Sequence, residues 1–311
     1  MLDLFANINW SQQLANGLFA GSAYALFAVG YTLIFGVLDI LNLAHHAIYM
    51  LGAFFALTFV TGGIKGLGSL PFTIPFWPAL ALAMILAGAL GVLLDRIAFA
   101  PLRRRPDTHF AGMISSIAMA LIFEALAIRF FRSEVSRFPA GTVPNRPIEI
   151  GSATLAFNRA LVIVAALVFL VALTLLIRRT RLGQAIRAVA ENPKAARLLG
   201  INVERVYASS FFISSALGGA AGVLYGLATN ALTPYMGRPL ELKGLAVIIV
   251  GGMGSIPGAV LGGYVLGLTE VMSIALTKRS EYRDAIAFIL LFLILSLRPA
   301  GLLGARRVRE A

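Results

Sequence analysis

The sequence predicts an all-α protein: a polytopic transmembrane helical bundle of about seven to nine membrane segments, with broken or re-entrant helices in both halves. Three observations carry this. Of 311 residues, 59% are hydrophobic and only 13% charged, where a soluble domain carries about 25% charged residues. Apolar runs recur along the whole length, most approaching or exceeding the roughly 20 residues that cross a bilayer core as a helix. The basic residues are gathered, 14 of 26 Lys and Arg standing at Arg103, Arg104, Arg105, at Arg178, Arg179, Arg181, Arg187, Lys194, Arg197, Arg205, and at Arg298, Arg306, Arg307, Arg309. Such clusters mark cytoplasmic loops, so the net charge of +12 reports orientation and not a nucleic-acid surface. No polar stretch is long enough for a separate soluble domain, and residues 1–311 are read as one transmembrane domain.

Met1–Trp10 carries Asp3 and no Lys or Arg, so it lacks the positive segment of a secretory signal. Leu14–Val37 is the first crossing. It leads into "GVLDILNLAHHAIYMLG", where Asp39, Asn42, His45 and His46 interrupt the apolar pattern before Ile48–Val60. Phe76–Ala100 and Phe110–Phe131 follow, joined by the loop with Arg103 to Arg105. The linker of residues 132–158 holds Pro139, Pro144, Pro147, Gly141 and Gly151. It reads as a structured external loop, although it also carries Arg132, Arg137 and Arg146. Ala160–Ile177 returns the chain to the cytoplasm and Val206–Leu227 takes it out again. Within Leu242–Ile274, "LKGLAVIIVGGMGSIPGAVLGGYVLGLTEV" has two apolar arms either side of Gly251, Gly252, Gly254, Ser255 and Pro257. We read it as a broken or re-entrant hairpin, with two short full crossings as the alternative. Ala285–Leu297 enters last. The N-terminus is then outside and the C-terminus inside, after about seven full crossings plus the hairpin.

Irregular backbone survives at membrane depth only when it is buried in protein or lines a cavity, and segments broken in both halves point to a substrate route. The candidate pathway residues are therefore Asn42, His45 and His46 with Gly251, Gly252, Gly254, Ser255 and Pro257. Each has a plainer reading. Asp39 and Asn42 suit a turn and a helix cap, one imidazole can cap the broken segment while the other faces a polar cavity, and the glycines can simply let helices approach. His45 and His46 are neighbours that do not share a helix face, and His109 falls in a different loop, so no metal site is expected. Glu124 and Arg129 share one apolar span, where ionisable groups usually face the protein interior. They are five apart, a poor intrahelical pair, and Arg129 can snorkel outward. Glu241 and Lys243 are expected at a solvated interface by the mouth of the hairpin.

The one long polar interruption is "TRLGQAIRAVAENPKAARLLGIN", residues 180–202. Leu182, Ile186 and Val189 fall on one face of Arg181–Glu191, with Arg181, Gln184 and Arg187 elsewhere, as in a surface helix. Asn192 is a favoured N-cap, Pro193 fits the first helical position, and Gly200 suits a C-terminal cap. Two short extramembrane helices result. Ala195, Leu198 and Leu199 then need a neighbour, which is either lipid headgroups and the protein's own helix ends or a groove on a soluble partner.

"KAARLLG", Lys194 to Gly200, resembles the cytoplasmic loop motif of ATP-binding-cassette importer permeases, Glu-Ala-Ala followed by three residues and Gly, with Lys194 in place of the Glu. Around it, "GLFAGSAYALFAVGYTLIFGVLDILNLAHHAIYMLGAF", "GQAIRAVAENPKAARLLGINVERV", "VGGMGSIPGAVLGGYVLG" and "LRPAGLLG" occur in the order of the LivH-type permeases of branched-chain amino-acid importers. The resemblance spans about Leu14 to Gly304. It implies a multi-pass subunit of a bacterial cytoplasmic (inner) membrane, working with a LivM-type second permease, two ATPases of LivG and LivF type, and an external binding protein that delivers leucine, isoleucine or valine. It also implies that Arg181, Gly183, Arg187, Glu191, Asn192, Pro193, Ala195, Ala196, Leu199 and Gly200 form the element coupled to an ATPase. Similar permeases serve urea, short amides and aromatic or other carboxylic acids, so the substrate stays open.

The chain has no Gly-x-x-x-x-Gly-Lys-Ser/Thr loop, so no nucleotide site is expected on it; ATP and magnesium belong to the partner ATPases, and no cofactor to this chain. It has no cysteine, and no Ser-His-Asp or paired-carboxylate pattern for an enzyme. A self-sufficient secondary transporter or channel is the competing class, and it would want more ion-coordinating groups inside the membrane.

Overall fold

The computed structural model describes residues 8–64, 68–69, 71–103, 108–144 and 146–304. Asp3, Arg104, Arg105, Arg306, Arg307 and Arg309 lie outside the described residues. Helix α1 (Trp10–Leu38) starts where the Asn9 side chain accepts from the Gln12 amide at 3.0 Å and stops where Asp39 turns left-handed at φ 57°. The other helices, in order, are α2 (His45–Thr61), α3 (Phe76–Leu94) extended by a π-turn (Asp95–Phe99), α4 (Thr108–Phe131), α5 (Phe157–Arg179), α6 (Arg181–Glu191), α7 (Pro193–Leu198), α8 (Val203–Thr229), α9 (Arg238–Gly251), α10 (Ile256–Thr277) and α11 (Arg283–Leu297). The protein is a polytopic membrane protein of all-α class, with six helices long and apolar enough to cross a bilayer among the described residues. The shorter apolar α2, α9 and α11 complete the bundle.

Helices α1, α2 and α8 form the centre, and α3, α4, α5, α10 and α11 turn apolar side chains such as Ile85, Leu121, Leu167, Leu261 and Phe292 outward. All are apolar, so composition alone does not separate centre from rim. Small residues do: in the window of α1 83% of residues are buried, in that of α5 only 28%, and α1 and α8 carry the Gly, Ala and Ser that permit contact on every side. On α10, Gly263 and Gly267 lie against Ala25 and Gly21 of α1, and a side chain on Gly263 would come within 2.6 Å of the Ala25 amide nitrogen.

Between α1 and α2 the chain is irregular and buried. Two of its backbone amides are met by side chains. Asn42 Oδ1 accepts from the Ala44 amide (3.2 Å), and Ser116 Oγ accepts from the Leu43 amide (3.1 Å). Broken backbone is sustained here because side chains replace the missing helical partners.

Two polar faces separate. On one, β3 (Pro147–Ile150) and β4 (Ala153–Ala156) pair antiparallel in the 132–158 linker. The linker meets the start of α1 through Asn9 to the Ser152 carbonyl (2.8 Å), and Ser136 pairs with Leu232 beyond α8. A second small ribbon, β1 (Gly63–Ile64) with β2 (Gly68–Ser69), follows α2. On the opposite face lie Arg103, α6, α7 and the end of α11. His109 stands in the first turn of α4, not in a loop, with its Nδ1 2.8 Å from the Asp39 carbonyl.

The hairpin read within Leu242–Ile274 has unequal arms. Helix α9 has 14 residues and α10 has 22, so at 1.5 Å per residue they are about 21 and 33 Å long, and only the second spans a core of about 30 Å. Residues 230–237 dip back from the end of α8, and Gly237 seats on the His46 backbone. Gly252 and Gly254 make the turn, at φ 104° and 82°. "LRPAGLLG" closes it, since the Leu302 and Leu303 amides donate to the Val250 and Gly251 carbonyls at 2.8 and 2.9 Å.

Candidate functional site

Two sites emerge, one on the α6–α7 face and one at membrane depth. Helix α6 begins with Thr180 Oγ1 accepting from the Gly183 amide (3.0 Å). At the joint Asn192 Oδ1 accepts from the Lys194 and Ala195 amides, both at 3.0 Å, while Pro193 opens α7. Gly200, at φ 81°, ends it. The buried stripe of α6 is Gly183, Ile186 and Val189, and Leu182 lies off it. Gly183 is pressed on the carbonyls of Leu176 and Ile177, and Arg187 donates to the Ile177 carbonyl. The apolar face of α6 is thus covered by the protein's own helix ends. In α7 only Ala196 is buried; Leu198 is 90% and Leu199 80% exposed. Arg181, Glu191 and Ala195 are exposed as well.

Beside α7 opens a cavity of about 470 Å³, lined by Arg103, Arg197, Ile201, Asn202, Val203 and Glu204. Arg103 spans it. Its guanidinium meets Asp95 in the π-turn, Glu204 at 2.5 Å, and the ring of Tyr207 at 4.3 Å. The start of α8 is thereby tied to the end of α3. Asp95 is 1% exposed, so Arg103→Ala leaves a buried carboxylate without its cation. A loss of about 2 kcal/mol is expected, read as a lower thermal midpoint of the purified chain, with Arg103→Ala/Asp95→Asn recovering most of it.

The second site joins α2, α4 and α9. Glu124, seven residues before the end of α4, is 3% exposed and is gripped by Arg238 from the first turn of α9: Nε donates at 2.9 Å and an η-nitrogen at 2.5 Å. His46 adds to it, Nε2 standing 3.2 Å from the same carboxylate, while Nδ1 lies 2.7 Å from the Leu43 carbonyl and 3.2 Å from Glu241. Arg238 lies over the Tyr235 ring at 4.6 Å. Glu124 is thus paired across the fold and not with Arg129, which is exposed.

The sequence-predicted pathway residues do not all converge here. Asn42 caps the broken segment, as the plainer reading had it. His45 is fully buried, its ring 4.9 Å from that of Phe27 and 5.7 Å from that of Tyr31. Gly251 packs on Gly258, Gly252 on Gly304, and Ser255 caps α10 by accepting from the Gly258 amide (3.1 Å), with Pro257 in its first turn. These residues form the hairpin turn near the α6–α7 face, away from His46. Sequence reasoning missed Arg238 altogether. It also placed Glu241 and Lys243 at a solvated interface, yet Glu241 is half-buried beside His46 and Lys243 is buried beside Glu270 at 2.8 Å. The available signal was an acid within an apolar span whose one basic neighbour, Arg129, stands five residues away and pairs poorly with it.

A sequence model of a family described as "Branched-chain amino acid transport system / permease component" matches residues 13–295. The high-affinity branched-chain amino acid transport system permease protein BraD of Pseudomonas aeruginosa is 35% identical over 306 residues, covering 97% of this chain and 98% of that protein. LivH of Escherichia coli, a permease protein of the same description, is 34% identical over 96% of this chain and 97% of its own length. A probable branched-chain amino acid permease, LivH of Methanocaldococcus jannaschii, is 28% identical over 90% of this chain and 88% of its own.

Proposed function

The chain belongs to the family of branched-chain amino acid transport system permease components, and from that premise we propose that it is the LivH-type permease subunit of an ATP-driven importer in the bacterial cytoplasmic membrane. Leucine, isoleucine or valine, delivered by an external binding protein, crosses between this subunit and a LivM-type partner permease. Two ATPases of LivG and LivF type dock at the α6–α7 face, which is cytoplasmic, and hold the ATP and magnesium; this chain is not an enzyme and carries no cofactor. The observation that carries the reading is the exposed Leu198–Leu199 pair at the end of α7. Apart from Ala195, the other apolar side chains of the module are tucked against the bundle or lie along its rim, whereas these two project from a capped knob and none of the described residues covers them.

Docking there would move α8 through residues 199–202 and α3 through Arg103, rocking the bundle between outward and inward access. An independent secondary transporter has no use for such a knob. The test is co-purification of the tagged chain from its native membrane, followed by uptake of labelled leucine, isoleucine, valine and urea into proteoliposomes holding ATP. ATPases and a second permease should accompany the chain, and a branched-chain amino acid should accumulate only with ATP. A chain that purifies alone and moves solute without ATP overturns the proposal.

A further inference from the structure

Helix α4 buries Glu124 about 10 Å from its nearer end at 1.5 Å per residue, well within the apolar span. Arg238, its partner, is nonetheless 53% exposed along its side chain, and Glu241 is 24% exposed beside it. A guanidinium this open cannot face lipid at that depth, because charged groups inside a membrane face the bundle interior or water. The exposed edge of Arg238 therefore lines an aqueous route or a joint with another subunit. Its chemistry is specific. Of five N–H donors on a guanidinium, Glu124 engages Nε and one η-nitrogen, and the remaining donors stay at the open edge. Glu124 and the stacked ring of Tyr235 hold the fork in one orientation, as a preorganised carboxylate receptor requires. Close by, the Glu241 carboxylate, backed by His46, offers an acceptor to a cation.

We propose that the open edge of Arg238 and the Glu241 carboxylate form a transit site for a zwitterionic α-amino acid, Arg238 taking the α-carboxylate and Glu241 the α-ammonium. The site rests on the importer reading given above and narrows it. Urea and neutral amides carry no charge for either group, and a simple carboxylic acid satisfies only Arg238 and leaves Glu241 opposite nothing. Partly exposed Tyr235 and exposed Leu242 supply apolar surface beside the charged pair for an aliphatic side chain. Glu124 and His46 are positioning residues: they touch Arg238 and Glu241 and not the substrate.

The test uses the complete complex with its ATPases, partner permease and binding protein in proteoliposomes containing ATP. Arg238→Gln should lower leucine uptake about tenfold or more, and Arg238→Lys, which keeps the charge but not the fork, should fall between. The double variant Glu124→Gln/Arg238→Gln removes both charges of the ion pair together. A pair that served only packing would be rescued by it; a carboxylate receptor is not. Restored uptake in the double variant, or uptake by Arg238→Gln within about twofold of wild type, overturns the site.

Leu242→Cys gives a second readout that leaves Arg238 and the Tyr235 ring that orients it in place, at an exposed position beside the pair, and uses the absence of native cysteine from this chain. Leucine should slow its modification by a water-soluble thiol reagent, while leucinamide, which lacks the carboxylate, and urea should not. Equal rates with and without leucine overturn the site even if the arginine variants fail to assemble. A wild-type complex that accumulates urea but no amino acid overturns the substrate reading itself, and the site with it. Uptake of leucine by wild type with undiminished uptake by Arg238→Gln overturns the site alone.

Discussion

Replacing Leu198 and Leu199 together by aspartate is expected to lower ATP-driven uptake by about a hundredfold, with the chain still inserted at normal yield. Burying one leucine side chain is worth about 1.5–3 kcal/mol, so losing two from a docking surface costs about 3–6 kcal/mol, and each 1.4 kcal/mol is tenfold in affinity. At 90% and 80% exposure neither leucine supports the fold of this chain, which makes the pair a cleaner probe than Ala196 or Gly200 of the same module. Ala196→Glu would push a charge into a position 2% exposed, and Gly200→Asp would strain a residue at φ 81°. Either would damage α7 before it tested docking. Capture of the ATPases on the tagged variant is the direct measurement. If Leu198 and Leu199 instead dip into lipid headgroups, capture stays at the wild-type level and the docking role falls.

The sequence made the α6–α7 module legible nearly residue by residue, because its determinants are local. Asn192, Pro193 and Gly200 sit in positions that their backbone chemistry favours, and the structure uses each as its type predicts. The broken segment before α2 was legible for the same reason, since polar residues between two apolar arms leave few alternatives. What local pattern does not contain is pairing across the chain. Glu124 and Arg238 are 114 residues apart, and no periodicity links them. Depth was lost likewise. Residues 230–237 look like an ordinary external loop, but Gly237 lets them descend onto His46, and this puts Arg238 beside Glu124. Gly252 and Gly254 turn the hairpin at positive φ, and the close approach that the plainer reading expected of the glycines is made to particular partners. Gly251 meets Gly258 and Gly252 meets Gly304, partners that no local reading of "VGGMGSIPG" supplies.

Glu270→Leu is expected to cost about 3–5 kcal/mol of stability, because it breaks a buried charge pair and leaves one partner uncompensated. Glu270, 0% exposed on α10, accepts from Tyr24 of α1 (2.7 Å) and from Lys243 of α9 (2.8 Å), and pairs with Arg283 at the start of α11. Lys243 also reaches Asp284 at 3.0 Å. Four helices are thus held by one neutral set of two cations and two anions around a phenol. Removing Glu270 leaves Lys243, 8% exposed, with Asp284 as its remaining carboxylate and the Tyr24 hydroxyl at 3.4 Å. Arg283 and Asp284 have side chains 41% and 69% exposed, so they can turn to solvent and soften the loss; Lys243 cannot. The double variant Lys243→Met/Glu270→Leu should therefore recover most of the stability, since a buried pair replaced by apolar groups of similar volume is close to neutral. Thermal unfolding of the four species of this cycle in detergent measures the coupling. Additive losses, or a Glu270→Leu midpoint equal to wild type, would mean that the close glycine contacts of α10 on α1 hold these helices alone and that the charge set contributes nothing to their packing.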